Sequence, residues 1–270
     1  MTTRREFLRT TSGTVAAVIG APSLILRSRA GADIVIRNGT VFDGLGTAGK
    51  ELDVVIAGGR IVSVVRRAAD RGTVEIDARG MAVAPGFIDI HSHGDGTLWA
   101  DPRAESLIRQ GVTTIVVGQD GSSRAPRSSD NARDDEGATQ FSTFAELWSA
   151  LDRLQPSVNV ASMVGLGTIR AVVVGGNDRP ATAAEMARME QLVKAALADG
   201  ACGASSGLEY TPGAFASQEE LIALCRPLAA RRLPYATHMR NEDDRLVEAV
   251  DESIAVARGA RCPLQISHLK

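Results

Sequence analysis

Hydrophobic and polar positions follow two different patterns along the chain, and the change falls near residue 80. Before that point, short apolar runs alternate with polar positions and are separated by glycine-rich turns, which is typical of a small β-sheet. The predicted strands are 33–37, 40–42, 53–56, 60–64 and 74–77. Asn38-Gly39 is a strong tight-turn signal. We therefore expect an antiparallel sheet at 33–80, which is too small to be stable alone.

From residue 81 the pattern changes to strands that alternate with helices. The predicted strands are 82–90, 112–117, 157–166, 201–208, 234–239 and 263–269, and the predicted helices are 102–110, 144–154, 182–197, one that starts at 217, and 243–258. The helix at 182–197 starts with a capping box, Thr182 followed by Glu185. This rhythm predicts a parallel sheet with right-handed crossovers, which fits a (β/α)8 barrel or a doubly wound sheet. The polar loop 122–140 between two elements is long enough to be an active-site lid.

Composition and charge narrow the class of protein. Hydrophobic residues make up 44% of the chain and charged residues 23%, which is ordinary for a soluble globular protein. The net charge of −2 gives no general attraction to nucleic acid or anionic membranes. We expect a small-molecule partner, with no nucleic acid and no stable membrane association. The three cysteines form no CxxC pattern, so neither a disulfide framework nor a zinc knot is indicated.

Residues 1–32 have the features of an export signal. Arg4 and Arg5 lie in a run that resembles the twin-arginine signal of bacteria, and small residues at 30–32 offer a cleavage site. The weakly apolar stretch 15–26 between them is too short and interrupted for a membrane span. We predict export to the periplasm or the cell exterior. The alternative is a disordered basic N-terminus.

All four histidines fall at the carboxyl ends of predicted strands. His91 and His93 alternate at the end of the first strand of the second segment, so both point to one face. His238 and His268 close two strands that are one βα unit apart, which places them at the same height. Four imidazoles arranged in this way predict a site for one or two divalent metal ions, with zinc favoured. The alternative is four unrelated core or surface histidines.

The motifs around these histidines resemble the amidohydrolase superfamily, and within it the N-acyl-D-amino-acid deacylase branch. They are PGFIDIHSH at 85–93, GVTT at 111–114, SGLEYTPG at 206–213, HMRNE at 238–242 and ISHLK at 266–270. The first motif is shared across the superfamily, and the third is more specific to the branch. The resemblance covers 33–270 and implies an α/β fold. This fold would be an incomplete (β/α)8 TIM-type barrel of about six βα units at 81–270, with the N-terminal half of a small β-sandwich at 33–80.

The resemblance also implies an activity, which is metal-dependent hydrolysis of the amide bond of N-acyl-D-amino acids to a carboxylate and a D-amino acid. Tyr210 and Lys270 match positions that hold the substrate's α-carboxylate. Arg240 is a further candidate for binding an anionic group. Tyr210 could instead have a packing role, and Arg240 could pair with one of the acidic residues at 242–244.

The chain departs from the family pattern at the end of the second barrel strand. Many members of the branch have a metal-binding Cys there, and this chain has Asp120. A carboxylate is a hard ligand that can bind or bridge metal, although Asp120 could also be a loop residue in an Asp-Gly turn. None of the three lysines stands where other superfamily members carry a bridging carboxylated lysine. This argues against a hydantoinase-like or dihydroorotase-like enzyme acting on cyclic amides, which remains the alternative activity.

The catalytic residue itself is not identified in the sequence. The resemblance places a catalytic Asp after the last barrel strand, beyond Lys270. A segment of this length is also too short for eight βα units. We therefore expect an N-terminal fragment, and an inactive truncated metal-binding fragment is the third alternative.

Overall fold

The computed structural model describes residues 31–127 and 140–269. Most of the predicted export signal, residues 128–139 of the predicted polar loop, and Lys270 lie outside these ranges. The chain divides into two compact units after Pro85, whereas the sequence pattern predicts the boundary at residue 80. Within the described ranges, no helix has the length and apolarity that crossing a bilayer would require.

The first unit is a mixed sheet, and the prediction of a purely antiparallel sheet is wrong. Its strands are β1 (Ala32–Val41), β2 (Lys50–Ala57), β3 (Arg60–Val65), β4 (Gly72–Asp77) and β5 (Ala82–Val83). They lie in the order β3-β2-β1-β4, and β5 also pairs with β1. β1 is antiparallel to β2 but parallel to β4 and β5. The long central strand therefore uses both of its edges, which no single hairpin could provide.

The predicted tight turn at Asn38-Gly39 is also wrong, because β1 continues through it. The register against β2 shifts between Ile36 and Gly39, which marks a β-bulge. Asn38 adopts the left-handed φ of 60° that the turn signal anticipates, and its backbone NH donates to Asp53 Oδ1 at 2.9 Å. Because β1 pairs on both edges, the left-handed residue that would form a turn forms a β-bulge within the strand instead.

The second unit is built from parallel strands with helices between them. Its strands are β6 (Phe87–Asp89), β7 (Val112–Val117), β8 (Asn159–Ser162), β9 (Val164–Gly165), β10 (Ala204–Gly207), β11 (Tyr235–His238) and β12 (Leu264–Ile266). Its helices are α1 (Glu105–Ile108), α2 (Phe144–Leu154), α3 (Leu166–Val173), α4 (Ala183–Ala198), α5 (Gln218–Cys225) and α6 (Leu246–Ala260). The strands form two sheets, β6-β7-β8 and β12-β11-β10-β9, and every pairing in them is parallel. The prediction of a parallel α/β segment is therefore confirmed.

One short segment joins the two parallel sheets. Met163 separates β8 from β9, and its NH donates to Val117 O on β7 at 2.9 Å. The next residue, Val164, donates to Gly203 O ahead of β10 at 3.0 Å. The chain therefore passes directly from one sheet into the other. Consequently, the carboxyl ends of all seven strands face the same side.

Helix α3 is an element that the sequence pattern does not predict, and a buried ion pair connects it to α5. Arg170 Nη1 lies 2.6 Å from Glu220 Oε2, with side-chain exposures of 1% and 6%. Arg170 Nη2 also donates to the carbonyl oxygen of Arg179 at 2.5 Å. The pair holds α3 in place, and the first turn of α3 brings Gly167 and Thr168 to the candidate site described below.

Candidate metal and substrate site

The four histidines meet around the carboxylate of Asp120. Its Oδ2 atom lies 3.1 Å from His93 Nε2 and 3.6 Å from His91 Nε2. The same oxygen lies 3.9 Å from His238 Nδ1 and 4.0 Å from His268 Nε2. The ring centroids of His238 and His268 are 4.6 Å apart, and those of His91 and His268 are 5.6 Å apart. The structure thus brings together all five residues that the sequence proposes as metal ligands.

Strand register explains why the two histidine pairs converge. His238 is the last residue of β11 and pairs with Gly207 of β10, while Ile266 pairs with Thr237 one residue earlier. His268 lies two residues beyond β12, so it is close to His238 although it is not on the strand itself. His91 and His93 likewise follow the end of β6. The strand ends therefore set the height of the imidazoles: His238 ends its strand, and the other three histidines lie just beyond theirs.

Asp120 is held by a tightly packed loop. It has a left-handed φ of 50°, and Gly121 follows with a φ of 76°. Ser205 on β10 ties the loop down, because its hydroxyl donates to Gly118 O at 2.6 Å and accepts from Gly121 NH at 3.1 Å. A Cβ at Gly207 would lie 2.2 Å from the carbonyl oxygen of Asp120. The close approach of these backbones fixes the carboxylate among the imidazoles.

Several donor atoms of the cluster are suited to a cation. Burial lowers the pKa of His91, and the neighbouring imidazoles of His93 and His268 lower it further, while the Asp120 carboxylate acts in the opposite direction. His91 is therefore neutral at neutral pH, the form that binds metal. Among the described residues, Asp120 Oδ1 and His91 Nδ1 are buried without a hydrogen-bond partner. Such unsatisfied buried atoms are costly unless another group binds there.

The ligand atoms fall into three overlapping groups, each with mutual distances within 4.8 Å. The groups are His91, His93 and Asp120; Asp120, His238 and His268; and Glu209, His238 and Glu242. Asp120 belongs to two groups and could bridge two ions, as carboxylates do. The sequence analysis does not identify Glu209 and Glu242, because a carboxylate near a histidine carries no distinctive spacing.

A cavity of about 520 Å³ opens beside Asp120 and His93. Tyr210 lines it, with its hydroxyl 3.5 Å from His238 Nδ1. Arg127, which the sequence analysis does not single out, also lines the cavity, and its Nε donates to Ser123 O at 3.4 Å. The remaining lining residues are small or polar and include Ser122, Gly167, Thr168, Gly207 and Thr211. The cavity thus combines the metal-type cluster, a phenol and a cation.

The structure does not support the prediction that Arg240 binds substrate. Its Nε and Nη2 atoms each lie 2.9 Å from the Glu252 carboxylate, and its Nη groups also donate to Ala214 O and Ala216 O. The ion pair of Arg240 is with Glu252, and not with an acidic residue at 242–244 as the alternative expects. Helix α6 starts at Leu246, so residues 242–244 lie in the loop before it. Glu252, within the helix, is the acidic residue that contacts the guanidinium. Arg240 therefore ties the loop after β10 to α6. Lys270, the other predicted carboxylate ligand, lies outside the described residues.

Comparison with known proteins gives a consistent group of relatives. A family model described as the amidohydrolase family matches residues 74–269. The chain is 39% identical over 244 residues to D-aminoacylase from Alcaligenes xylosoxydans xylosoxydans, covering 88% of this chain and 50% of that protein. The chain therefore spans about half the length of this D-aminoacylase, and about half of an N-acyl-D-aspartate deacylase from the same organism.

Solved structures agree with the sequence relatives. The crystal structure of N-acyl-D-glutamate deacylase from Bordetella bronchiseptica, in complex with zinc and a phosphonate mimic of the tetrahedral intermediate, gives a TM-score of 0.84 at 35% identity. That match covers 89% of this chain and 52% of the deacylase. L-hydantoinase from Arthrobacter aurescens gives a TM-score of 0.56 at 18% identity, covering 87% of this chain and 52% of that one. The hydantoinase likeness concerns the fold alone.

Proposed function

This chain belongs to the amidohydrolase family, and on that premise we propose that its site serves the metal-dependent hydrolysis of N-acyl-D-amino acids. The reaction would release a carboxylate and a D-amino acid. The observation that carries the proposal is the convergence of four imidazoles on the Asp120 carboxylate beside a cavity. The D-aminoacylase and the N-acyl-D-glutamate deacylase named above are 39% and 35% identical to this chain over the regions that align.

The residues present fit a divalent cation, with zinc favoured. Histidine nitrogen and carboxylate oxygen are the usual ligands of catalytic zinc, and the unsatisfied Asp120 Oδ1 atom, next to the imidazoles, marks a place where such an ion would be stabilising. His91 and His93 would hold one position with Asp120, and His238 and His268 a second. When bound, the ion supplies Lewis-acid activation of the amide carbonyl and of water. Of the lysines that the structure describes, Lys194 pairs with Glu190 on α4 and Lys50 lies in β2, so neither follows a strand of the second unit. This disfavours a carboxylated-lysine site on cyclic amides.

The rest of the cavity suits an anionic substrate. We propose that the Tyr210 hydroxyl and the Arg127 guanidinium bind the substrate's carboxylate, because both line the cavity that His93 and Asp120 also line. Charge-assisted hydrogen bonds from Arg are directional and strong. The carboxylate would then lie on one side of the amide and the metal ligands on the other. The sequence-based assignment of Lys270 to the same carboxylate remains a prediction.

Metal analysis and an enantiomer assay test this proposal. Protein that contains this chain should retain zinc and hydrolyse N-acetyl-D-glutamate or N-acetyl-D-methionine, with little activity on the L-enantiomers or on hydantoin. Arg127→Gln should lower kcat/KM about 10–100-fold, the value of a hydrogen bond to a charged group, while Arg188→Gln on the exposed face of α4 should not. Absence of bound metal, or equal rates on D- and L-substrates, would contradict the proposal.

We propose that the second unit is part of a (β/α)8 barrel and the first unit part of a small β-sandwich. The parallel order of seven short strands supports the barrel portion. Large apolar side chains at the β6 edge, Phe87 and Ile88, are more than 60% exposed. Val62 of β3 and Val74 of β4 in the first unit are at least half exposed. Both observations favour further covering layers. An experimental structure of protein containing this chain would test the assignment.

We also propose that the protein is exported. The support is the twin-arginine-like run at residues 4–5, followed by a short apolar stretch and small residues. Cell fractionation tests this, since Arg4→Lys together with Arg5→Lys should retain the protein in the cytoplasm. Unchanged export of that variant would exclude the twin-arginine route.

A further inference from the structure

The two histidines that follow β11 and β12 present different ring nitrogens to the same carboxylate. His238 directs Nδ1 towards Asp120 Oδ2 at 3.9 Å, whereas His268 directs Nε2 towards it at 4.0 Å. A neutral imidazole has one nitrogen with a lone pair and one that carries hydrogen. For both rings to bind the same centre, His238 must therefore carry its hydrogen on Nε2, and His268 must carry it on Nδ1.

Two carboxylates contact these outward-facing nitrogens. Glu242 Oε1 is hydrogen bonded to His268 Nδ1, and Glu209 Oε2 lies 3.0 Å from His238 Nε2. The other Glu242 oxygen, Oε2, lies 3.8 Å from His238 Nε2. An ionised carboxylate can only accept hydrogen bonds, so the hydrogen bonds of Glu242 to His268 and of Glu209 to His238 each require a hydrogen on the nitrogen that faces away from Asp120. These are the two tautomers that metal binding demands.

Glu242 is the more constrained of the two carboxylates. Its side chain is 5% exposed, compared with 39% for Glu209. It lies in the loop after β11, where the side chain of Asn241 accepts hydrogen bonds from the backbone NH groups of Asp243 and Arg245. A buried carboxylate is stable only where partners compensate for its charge. Two imidazoles of the metal site are within reach of this one.

We propose that Glu242 is a positioning residue that holds His268 in the Nδ1–H tautomer and adds negative charge behind both His238 and His268. This role rests on the metal site proposed above, and Glu242 acts through the imidazoles rather than on substrate. Outer carboxylates of this kind orient histidine ligands and make them better donors, and their loss typically costs about 10–100-fold in metal affinity. Glu209 has the matching but more exposed position behind His238.

The test uses the metal-free protein as well as its zinc affinity. Nitrogen-15 NMR of histidine-labelled protein reports which nitrogen of each ring carries hydrogen, with no metal bound. We expect a single Nδ1–H tautomer for His268 in the parent. A mixture of tautomers is expected in Glu242→Gln, because an amide can donate as well as accept. In competition with a chelator, zinc binding to this variant should weaken about 10–100-fold with unchanged stoichiometry.

Two further variants complete the design. Glu242→Leu removes the acceptor entirely and should show the same loss, and Glu248→Gln on the exposed part of α6 should match the parent. The proposal is overturned if both Glu242 variants keep the Nδ1–H tautomer and the parent zinc affinity. It is also overturned if they lose one zinc ion while the tautomers stay unchanged, because Glu242 would then be a direct ligand. Failure of the parent to bind zinc would instead refute the proposed function, and the tautomers of the metal-free protein would still decide the role of Glu242.

Discussion

The buried ion pair between α3 and α5 gives a quantitative test of the fold that supports the site. Glu220→Gln keeps the shape of the side chain but removes its charge, which leaves the Arg170 guanidinium, 1% exposed, without a counterion. Removing one partner of a buried pair typically costs about 3–5 kcal/mol. We expect about 3 kcal/mol, the lower end, because the amide oxygen still accepts the hydrogen bond now made at 2.6 Å. For a protein of this size, that loss lowers Tm by about 6–12 °C.

Thermal unfolding followed by circular dichroism measures the effect, and Glu219→Gln is the matched control. Glu219 is the neighbouring residue in the first turn of α5 and is exposed, so its loss should leave Tm nearly unchanged. The double variant Arg170→Met, Glu220→Leu should recover part of the loss, since apolar side chains of similar size avoid the desolvation of charge. If Glu220→Gln and Glu219→Gln unfold at the same temperature, the pair does not stabilise α3.

Three further predictions concern the site loop, a helix cap and the thiols. Gly207→Ala should destabilise the protein by about 1–3 kcal/mol and weaken zinc binding, because its Cβ would lie 2.2 Å from Asp120 O. Denaturant unfolding and zinc titration measure the two effects. Gly176→Ala is the control, because a Cβ at Gly176 meets no atom within 4 Å. Hydrogen bonds from Arg179 and the Thr182 cap lower the pKa of Glu185 to about 2, so its contribution to stability is present above the unfolded pKa near 4.5 and is lost as pH falls towards 2. The Tm difference between the parent and Glu185→Gln should therefore shrink over that range, and a constant difference would contradict this linkage. Burial raises the pKa of Cys202 to about 11, so iodoacetamide at pH 8 should label it far more slowly in native than in unfolded protein, as measured by mass spectrometry.

Local patterns in the sequence predict the second unit better than the first. Alternating strands and helices, and the capping box at Thr182, depend on residues close in sequence, and the structure has both. The strand predicted at 157–166 ends earlier, and α3 follows it directly. The Asn38-Gly39 signal fails because β1 gains long-range partners on two edges. Which distant strands pair with each other cannot be predicted from a short stretch of sequence.

For the site, the sequence predicts which residues cluster but not what surrounds them. The histidine positions follow from strand ends, and their convergence with Asp120 requires only a parallel sheet. Glu242 and Arg127 could not be predicted, because their roles depend on how two loops fold over the strand ends. The partner of Arg240 could not be predicted either, because Glu252 lies within the following helix rather than next to Arg240 in the sequence.

The glycine packing around residue 120 has a consequence for how this site can change during evolution. Gly121 and Gly207 bring two backbones so close together that a Cβ at either position would lie within 2.6 Å of a backbone atom, so the path of the loop is tightly constrained. The side chain at 120, in contrast, points into the ring of imidazoles and takes no part in that packing. A substitution there could exchange one donor atom for another while the backbone stays the same, so the preference of the proposed site for a hard or a soft metal could change without a change of fold.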